Sequence, residues 1–122
     1  MKRNIFLAVL LIFSLCAIGH AKVVGLALNY KNPFNPSIGE TTKIMYTLDQ
    51  SSGVTIYIFN LVGKCIKKIN CPAGGQGARL GFNEVEWDGY SDTKELMGND
   101  SYIACLISEG KVIAKCKIAI LK

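Results

Sequence analysis

Apolar and polar residues alternate along most of the chain, which is the pattern of short β-strands. Residues 42–48 place Ile44, Tyr46 and Leu48 on one face, and residues 54–59 alternate in the same way. A period of two residues belongs to a strand with one buried face. Beyond the first 21 residues, no stretch of ten or more shows the 3.6-residue period of an amphipathic helix. The pattern therefore predicts an all-β chain.

Turns rich in glycine, asparagine and serine separate the predicted strands. One hairpin is predicted across residues 60–63 and another across Glu109 and Gly110. The strands of the second hairpin are apolar at nearly every position, so we expect them to form a central pair. Trp87 is expected in the core. About seven short strands predict an antiparallel β-sandwich; those after the lead-in cover residues 42–48, 54–59, 64–69, 82–87, 102–107 and 112–121.

The first 21 residues have the three-part pattern of a removable signal peptide. Lys2 and Arg3 precede an apolar run over residues 5–18, and the small residues Gly19 and Ala21 precede a predicted cleavage after Ala21. The run is shorter than the roughly 20 residues that a helix needs to span a bilayer. We therefore expect an exported protein without a membrane span in its mature form, located extracellularly, at the cell surface or in the periplasm.

The remaining chain divides into two predicted parts. Residues 22–41 form a lead-in strand followed by a loop rich in proline and asparagine, because Pro33 and Pro36 are incompatible with both a helix and a central strand. Residues 42–122 form the β-sandwich itself.

The composition of the mature chain excludes several kinds of chemistry. Its one histidine, His20, lies in the predicted signal peptide, so Ser-His-Asp and Cys-His nucleophiles and histidine-ligated metals are excluded. Loss of Lys2 and Arg3 lowers the net charge from +5 to +3, with 12 basic against 9 acidic residues. The lysines that remain are scattered, so we expect no nucleic-acid partner. We also expect no enzymatic activity, no cofactor and no metal.

The acidic residues near the end of one predicted strand allow two interpretations. Glu84, Glu86 and Asp88 share one face, and neighbours on a face are roughly 6.5 to 7 Å apart, a distance that an acid and base pair could use. A solvated strand face explains the same pattern, and we favour it. Asp88 and Asp92 could hold calcium, but we favour a turn in which Asp88 accepts hydrogen bonds from backbone amides.

Four lysines on predicted strands also have two interpretations. Lys67, Lys68, Lys115 and Lys117 could attract an acidic polysaccharide or an anionic lipid. Lysines also protect exposed strands against edge-to-edge association, and this is the interpretation that we favour.

The mature chain keeps four cysteines, an even number that two disulfides would use. Sequence proximity favours the local pairs Cys65 with Cys71 and Cys105 with Cys116, and a turn at Gly110 and Lys111 would place the second pair face to face. Four free thiols packed as small apolar residues are an equal alternative. The spacings are not those of a redox or zinc motif.

Several motifs occur in a fixed order over residues 29–122. They are Asn32-Pro33-Phe34-Asn35-Pro36-Ser37, Thr42-Lys43-Ile44, residues 54–64, Val85-Glu86-Trp87-Asp88-Gly89, and residues 115–122. This order resembles the immunoglobulin-like domain of flagellar hook-capping (FlgD-type) proteins, and equally the related C-terminal sorting domain of type IX secretion cargo. Asp100-Ser101-Tyr102 stands where that family commonly has Gly-x-Tyr, and the cysteines are not part of its pattern.

The resemblance implies an immunoglobulin-like sandwich that acts by protein recognition rather than catalysis. The expected partner is a protein of the secretion or surface machinery. The expected recognition element is the C-terminal strand, in particular Lys115, Lys117, Ile118, Ile120 and Lys122. The alternatives are a structural or adhesive surface protein that binds carbohydrate or partner proteins, a flagellar hook-cap-like assembly module, and an enzyme built on Glu84, Glu86 and Asp88.

Overall fold

The fold is a sandwich of two antiparallel sheets, seen in a computed structural model that describes residues 21–122. Apart from Ala21, the predicted signal peptide lies outside these residues. One sheet has three strands in the order β1-β2-β5, and the other has four in the order β4-β3-β6-β7. The strands are β1 Leu28–Tyr30, β2 Thr42–Leu48, β3 Val54–Phe59, β4 Cys65–Cys71, β5 Gly81–Trp87, β6 Asp100–Ser108 and β7 Lys111–Ile120. The predicted all-β sandwich of about seven strands is confirmed.

Both predicted hairpins are present. β3 pairs with β4 across the turn at residues 60–63, where the Gly63 N–H donates to the Asn60 carbonyl at 3.0 Å. β6 pairs with β7 across Glu109 and Gly110, whose φ angles are 49° and 75°. Positive φ at both central residues is what a type I′ turn needs, and this turn matches the right-handed twist of the strands that it joins.

The last hairpin does not form the predicted central pair, because β7 is an edge strand. From Lys117 onward, its outer edge is covered by the loop of residues 31–41 instead of a further strand. The Phe34 N–H donates to the Ala119 carbonyl, and the Leu121 N–H donates to the Phe34 carbonyl, both at 3.1 Å. The buried isoleucines of β7, Ile118 and Ile120, pack in the core, so its apolar sequence did not require a neighbouring strand on each side.

Aromatic residues from three parts of the chain meet in the core. Trp87 is buried between Phe34 and Tyr102, with ring centroids 5.7 and 5.6 Å away in edge-to-face geometry. Its indole N–H donates to the Tyr90 carbonyl at 2.9 Å. The Tyr102 hydroxyl donates to the Gly98 carbonyl at 2.7 Å, which anchors the start of β6 to the preceding turn. The expected core position of Trp87 is confirmed.

The lead-in segment is integrated into both sheets. β1 pairs with β2 in the register Leu28 to Met45, and the Val24 N–H donates to the Thr47 carbonyl at 2.9 Å. Ala21 is fully buried, and its N–H donates to the Ser108 hydroxyl at 3.3 Å. The folded unit therefore includes residues 21–41 as well as the strands that follow them.

Candidate functional site

The outer face of the four-stranded sheet collects side chains that are scattered in the sequence. The strand pairing aligns Lys68, Tyr57, Cys105 and Lys115 in one row across β4, β3, β6 and β7. The next row contains Cys65, Phe59, Ile103 and Lys117. The face thus has an apolar centre on β3 and β6 and lysines on both edge strands. We call it the lysine-flanked face.

The centre of the lysine-flanked face is aromatic and aliphatic. The rings of Tyr57 and Phe59 lie with their centroids 6.3 Å apart and their planes 24° from parallel. The Lys68 ammonium lies 5.7 Å from the centre of the Tyr57 ring, within the range of a cation–π contact. Ile103 and Ile107 on β6 extend the apolar surface and are half-buried. Such a centre offers contact area to a partner's apolar side chains.

The charge of this face has one sign. Lys68, Lys115 and Lys117 are exposed, and none of the outward-facing residues of β3, β4, β6 and β7 is acidic. Lys67 does not belong to the face, because its neighbour Ile58 is a core residue and its ammonium lies 3.4 Å from a carboxylate oxygen of Asp92. Of the four lysines considered in the sequence analysis, Lys68, Lys115 and Lys117 therefore lie on the face, and Lys67 is paired with Asp92 beside it.

The predicted recognition strand exposes only part of the expected set. Ile118 and Ile120 are buried in the core, with 0% and 3% of their surface exposed, whereas Lys115, Lys117 and Lys122 are exposed. The edge of β7 is also occupied beyond Lys117, where the Asn32 amide bonds the Lys117 carbonyl at 3.1 Å and the Ala119 N–H at 2.8 Å. A partner can thus reach Lys115 and Lys117 of β7 but not Ile118 and Ile120.

All four cysteines of residues 21–122 are free thiols. Cys65 and Cys71 are the two ends of β4, roughly 20 Å apart in an extended strand, which is too far for a disulfide. Cys105 lies opposite Lys115 and Cys116 opposite Ala104, so the two thiols project from opposite faces of the sheet. An irregularity between Leu106 and Ile107 sets this register. Neither local pair that the spacing favoured can close in this fold.

The acidic residues in and directly after β5 have separate polar neighbours. Glu84 lies 3.9 Å from the Lys43 ammonium, and Glu86 accepts a hydrogen bond from Thr41. The Asp88 carboxylate accepts the Tyr90 N–H at 3.0 Å, which is the kind of turn that the sequence predicts at this position. Glu86 and Asp88 line an open cavity of about 460 Å³ between β4 and β5, whose other wall carries Lys67 and Lys68.

Sequence reasoning missed the aromatic part of the lysine-flanked face. Tyr57 lies on the polar side of its strand pattern, and nothing in the sequence states which residues of β4 and β6 lie beside it. Cross-strand neighbours depend on register, and a bulge between Ile58 and Phe59 shifts that register within β3 and β4. The alternation of Thr55, Tyr57 and Phe59 opposite the buried face was the available signal.

Comparison with known proteins supports the fold but identifies no family. No family model and no curated protein matches the chain. Among solved structures it is similar to PorZ, an essential bacterial surface component of the type IX secretion system of Porphyromonas gingivalis, with a TM-score of 0.54 and 14% identity. The similarity covers 79% of this chain and 11% of PorZ. It supports a β-sandwich of the kind found in a secretion-related protein. In residues 21–122, no helix is long and apolar enough to cross a membrane.

Proposed function

We propose that the chain is a non-enzymatic, exported recognition module of a secretion or surface system, and that it binds a protein partner through the lysine-flanked face. The observation that carries the proposal is the joint placement of Tyr57 and Phe59 between Lys68 and the lysines of β7. The fold similarity to a surface component of the type IX secretion system supports the cellular setting.

The chemistry of the face indicates the surface that it would bind. Three lysines without an outward acidic neighbour favour an acidic partner, and such complementarity guides encounter and register. The centre is made largely of isoleucines and aromatic rings, which pack against protein side chains. The partner proposed is therefore an acidic protein surface with apolar residues at its centre.

The proposed function can be tested by export of a reporter. Residues 21–122 are fused behind a periplasmic reporter in a bacterium that has a type IX secretion system. The fusion begins at Ala21 because Ala21 and Val24 are bonded into the sheets. We expect the reporter at the cell surface or in the medium. A folded fusion that stays in the periplasm would count against sorting by this module.

A carbohydrate-binding role has one observation in its favour, the neighbouring rings of Tyr57 and Phe59. Aromatic rings of this kind can stack on sugars in an adhesive surface protein. Retention of the chain on an acidic polysaccharide resin, lost in Tyr57→Ala, would favour this role. No retention at low salt would leave protein recognition as the function.

A further inference from the structure

The outer face of the three-stranded sheet exposes several large apolar side chains. Leu28, Tyr30 and Phe82 are 57%, 69% and 65% exposed, and the half-buried Met45 lies opposite Leu28. Exposed apolar residues that cluster on one sheet face mark an interaction surface more often than isolated ones do. We call this surface the glutamate-edged face, because β5 adds Glu84 and Glu86 to it.

The glutamate-edged face carries acidic side chains, which the lysine-flanked face does not. Its outward charged residues are Lys43, Glu84 and Glu86, and the Lys43 ammonium is 3.9 Å from the Glu84 carboxylate. The Glu86 carboxylate has no lysine partner among the described residues; its neighbour is the Thr41 hydroxyl. The outward charges of the glutamate-edged face, from Lys43, Glu84 and Glu86, therefore sum to −1. Those of the lysine-flanked face, from Lys68, Lys115 and Lys117, sum to +3, so the two apolar faces differ in the sign of their charge.

The two faces also match in spacing. On the lysine-flanked face, the Tyr57 and Phe59 column on β3 is two strands away from the Lys115 and Lys117 column on β7. Two strand intervals are roughly 10 Å, and neighbours within a column are roughly 6.5 to 7 Å apart.

The columns of the glutamate-edged face have the same arrangement. The Leu28 and Tyr30 column on β1 is two strands away from the Glu84 and Glu86 column on β5. Both pairs of columns can therefore meet at once when the two faces stack.

We propose that a second copy of this chain binds through these faces, with the glutamate-edged face of one copy on the lysine-flanked face of the next. Leu28 and Tyr30 then pack on the aromatic rings of β3, while Glu84 and Glu86 meet Lys115 and Lys117. Because the contact joins two different surfaces, it leaves one of each kind free and extends into a linear assembly. This proposal rests on the proposed function, because both use the lysine-flanked face as the binding surface. It adds that a second copy of the chain can bind there.

The area of the faces indicates how strongly two copies should associate. A three-stranded face seven residues long measures roughly 14 by 23 Å, or roughly 300 Å² on each partner. This is below the roughly 800 Å² per partner of a standard stable interface. The association should therefore be weak, concentration-dependent and sensitive to salt.

The test is sedimentation equilibrium of residues 21–122 from about 10 μM to about 1 mM at low and at high salt. We expect the average mass to rise with concentration beyond that of a dimer at low salt and to fall towards the monomer at high salt. Two charge-reversal variants, Lys115→Glu with Lys117→Glu and Glu84→Lys with Glu86→Lys, should each remain monomeric. Their mixture should associate again, because reversal of both faces restores opposite charge.

Several results would overturn the proposal. A wild-type chain that stays monomeric throughout, variants that associate alone, or a mixture that fails to associate would each do so. Circular dichroism and thermal melting establish that the variants are folded. A monomeric wild-type chain that still exports the reporter would refute self-association and leave the proposed function intact. A chain that associates but does not export the reporter would support self-association and count against the proposed function.

Discussion

At the residue scale, the turn after β5 depends on a position that has no room for a side chain. Gly89 has a φ of 82°, and a Cβ placed there would lie 2.6 Å from Cβ of Pro36 and 3.2 Å from the Phe34 ring. Phe34 in turn packs on Trp87. The Asp88-Gly89 turn of the sequence motif is thus a contact between β5 and the loop that covers β7.

We therefore expect Gly89→Ala to destabilise the fold by about 3 kcal/mol, from the left-handed backbone and the overpacking together. Gly39→Ala is the matched control, since Gly39 also has a φ of 82° but a Cβ there meets nothing within 4 Å. Urea denaturation measures both variants. Equal midpoints for the two would contradict the close packing of Gly89 on Pro36.

Thiol ionisation gives a prediction for alkaline pH. Burial raises the pKa of the Cys116 thiol to about 11 from an ordinary value of 9.0. The unfolded chain then loses this proton at lower pH than the folded chain does. The contribution of the Cys116 thiol to the free energy of unfolding is therefore fully present below pH 9 and is lost as the pH rises towards 11. Cys116→Ala should make this decline shallower, whereas replacement of the exposed Cys65 by alanine should not. An unchanged slope in Cys116→Ala would contradict the buried thiol.

At the element scale, the sequence predicted the strands and hairpins well because local patterning determines them. The alternation over residues 42–48 and the turn at Gly110 both have local causes, namely one buried face and a need for positive φ. The place of β7 at the edge could not be predicted, since its cover comes from Asn32 and Phe34, more than 80 residues earlier. The lysine-flanked face could not be predicted either, because the strand register determines which side chains become neighbours on it.

The cover over β7 can be tested by removal of one side chain. Asn32→Ala deletes the bonds to the Lys117 carbonyl and the Ala119 N–H, which should cost about 1 to 2 kcal/mol in folding stability. We expect amide hydrogen exchange to speed up at Ala119 and the melting temperature to fall. Asn70→Ala, on the exposed part of β4, is the control. Unchanged protection of Ala119 would show that β7 does not need this cover.

At the scale of the whole molecule, the sandwich separates charge between its two outer faces. The core uses the inward residues of both sheets, which leaves the outward positions free to differ. Lys68, Lys115 and Lys117 flank the apolar centre of the lysine-flanked face from the two edge strands, where lysine side chains generally oppose edge-to-edge association.

The most direct test of the proposed recognition face is a charge reversal in the reporter export experiment. The variant Lys115→Glu with Lys117→Glu removes the basic edge, and Arg79→Glu with Lys94→Glu makes the same change of charge at exposed loop positions away from the face. We expect the loop variant to be exported like the wild-type fusion and the β7 variant to remain in the periplasm while folded. Export of the β7 variant at the level of the loop variant would contradict recognition through the lysine-flanked face.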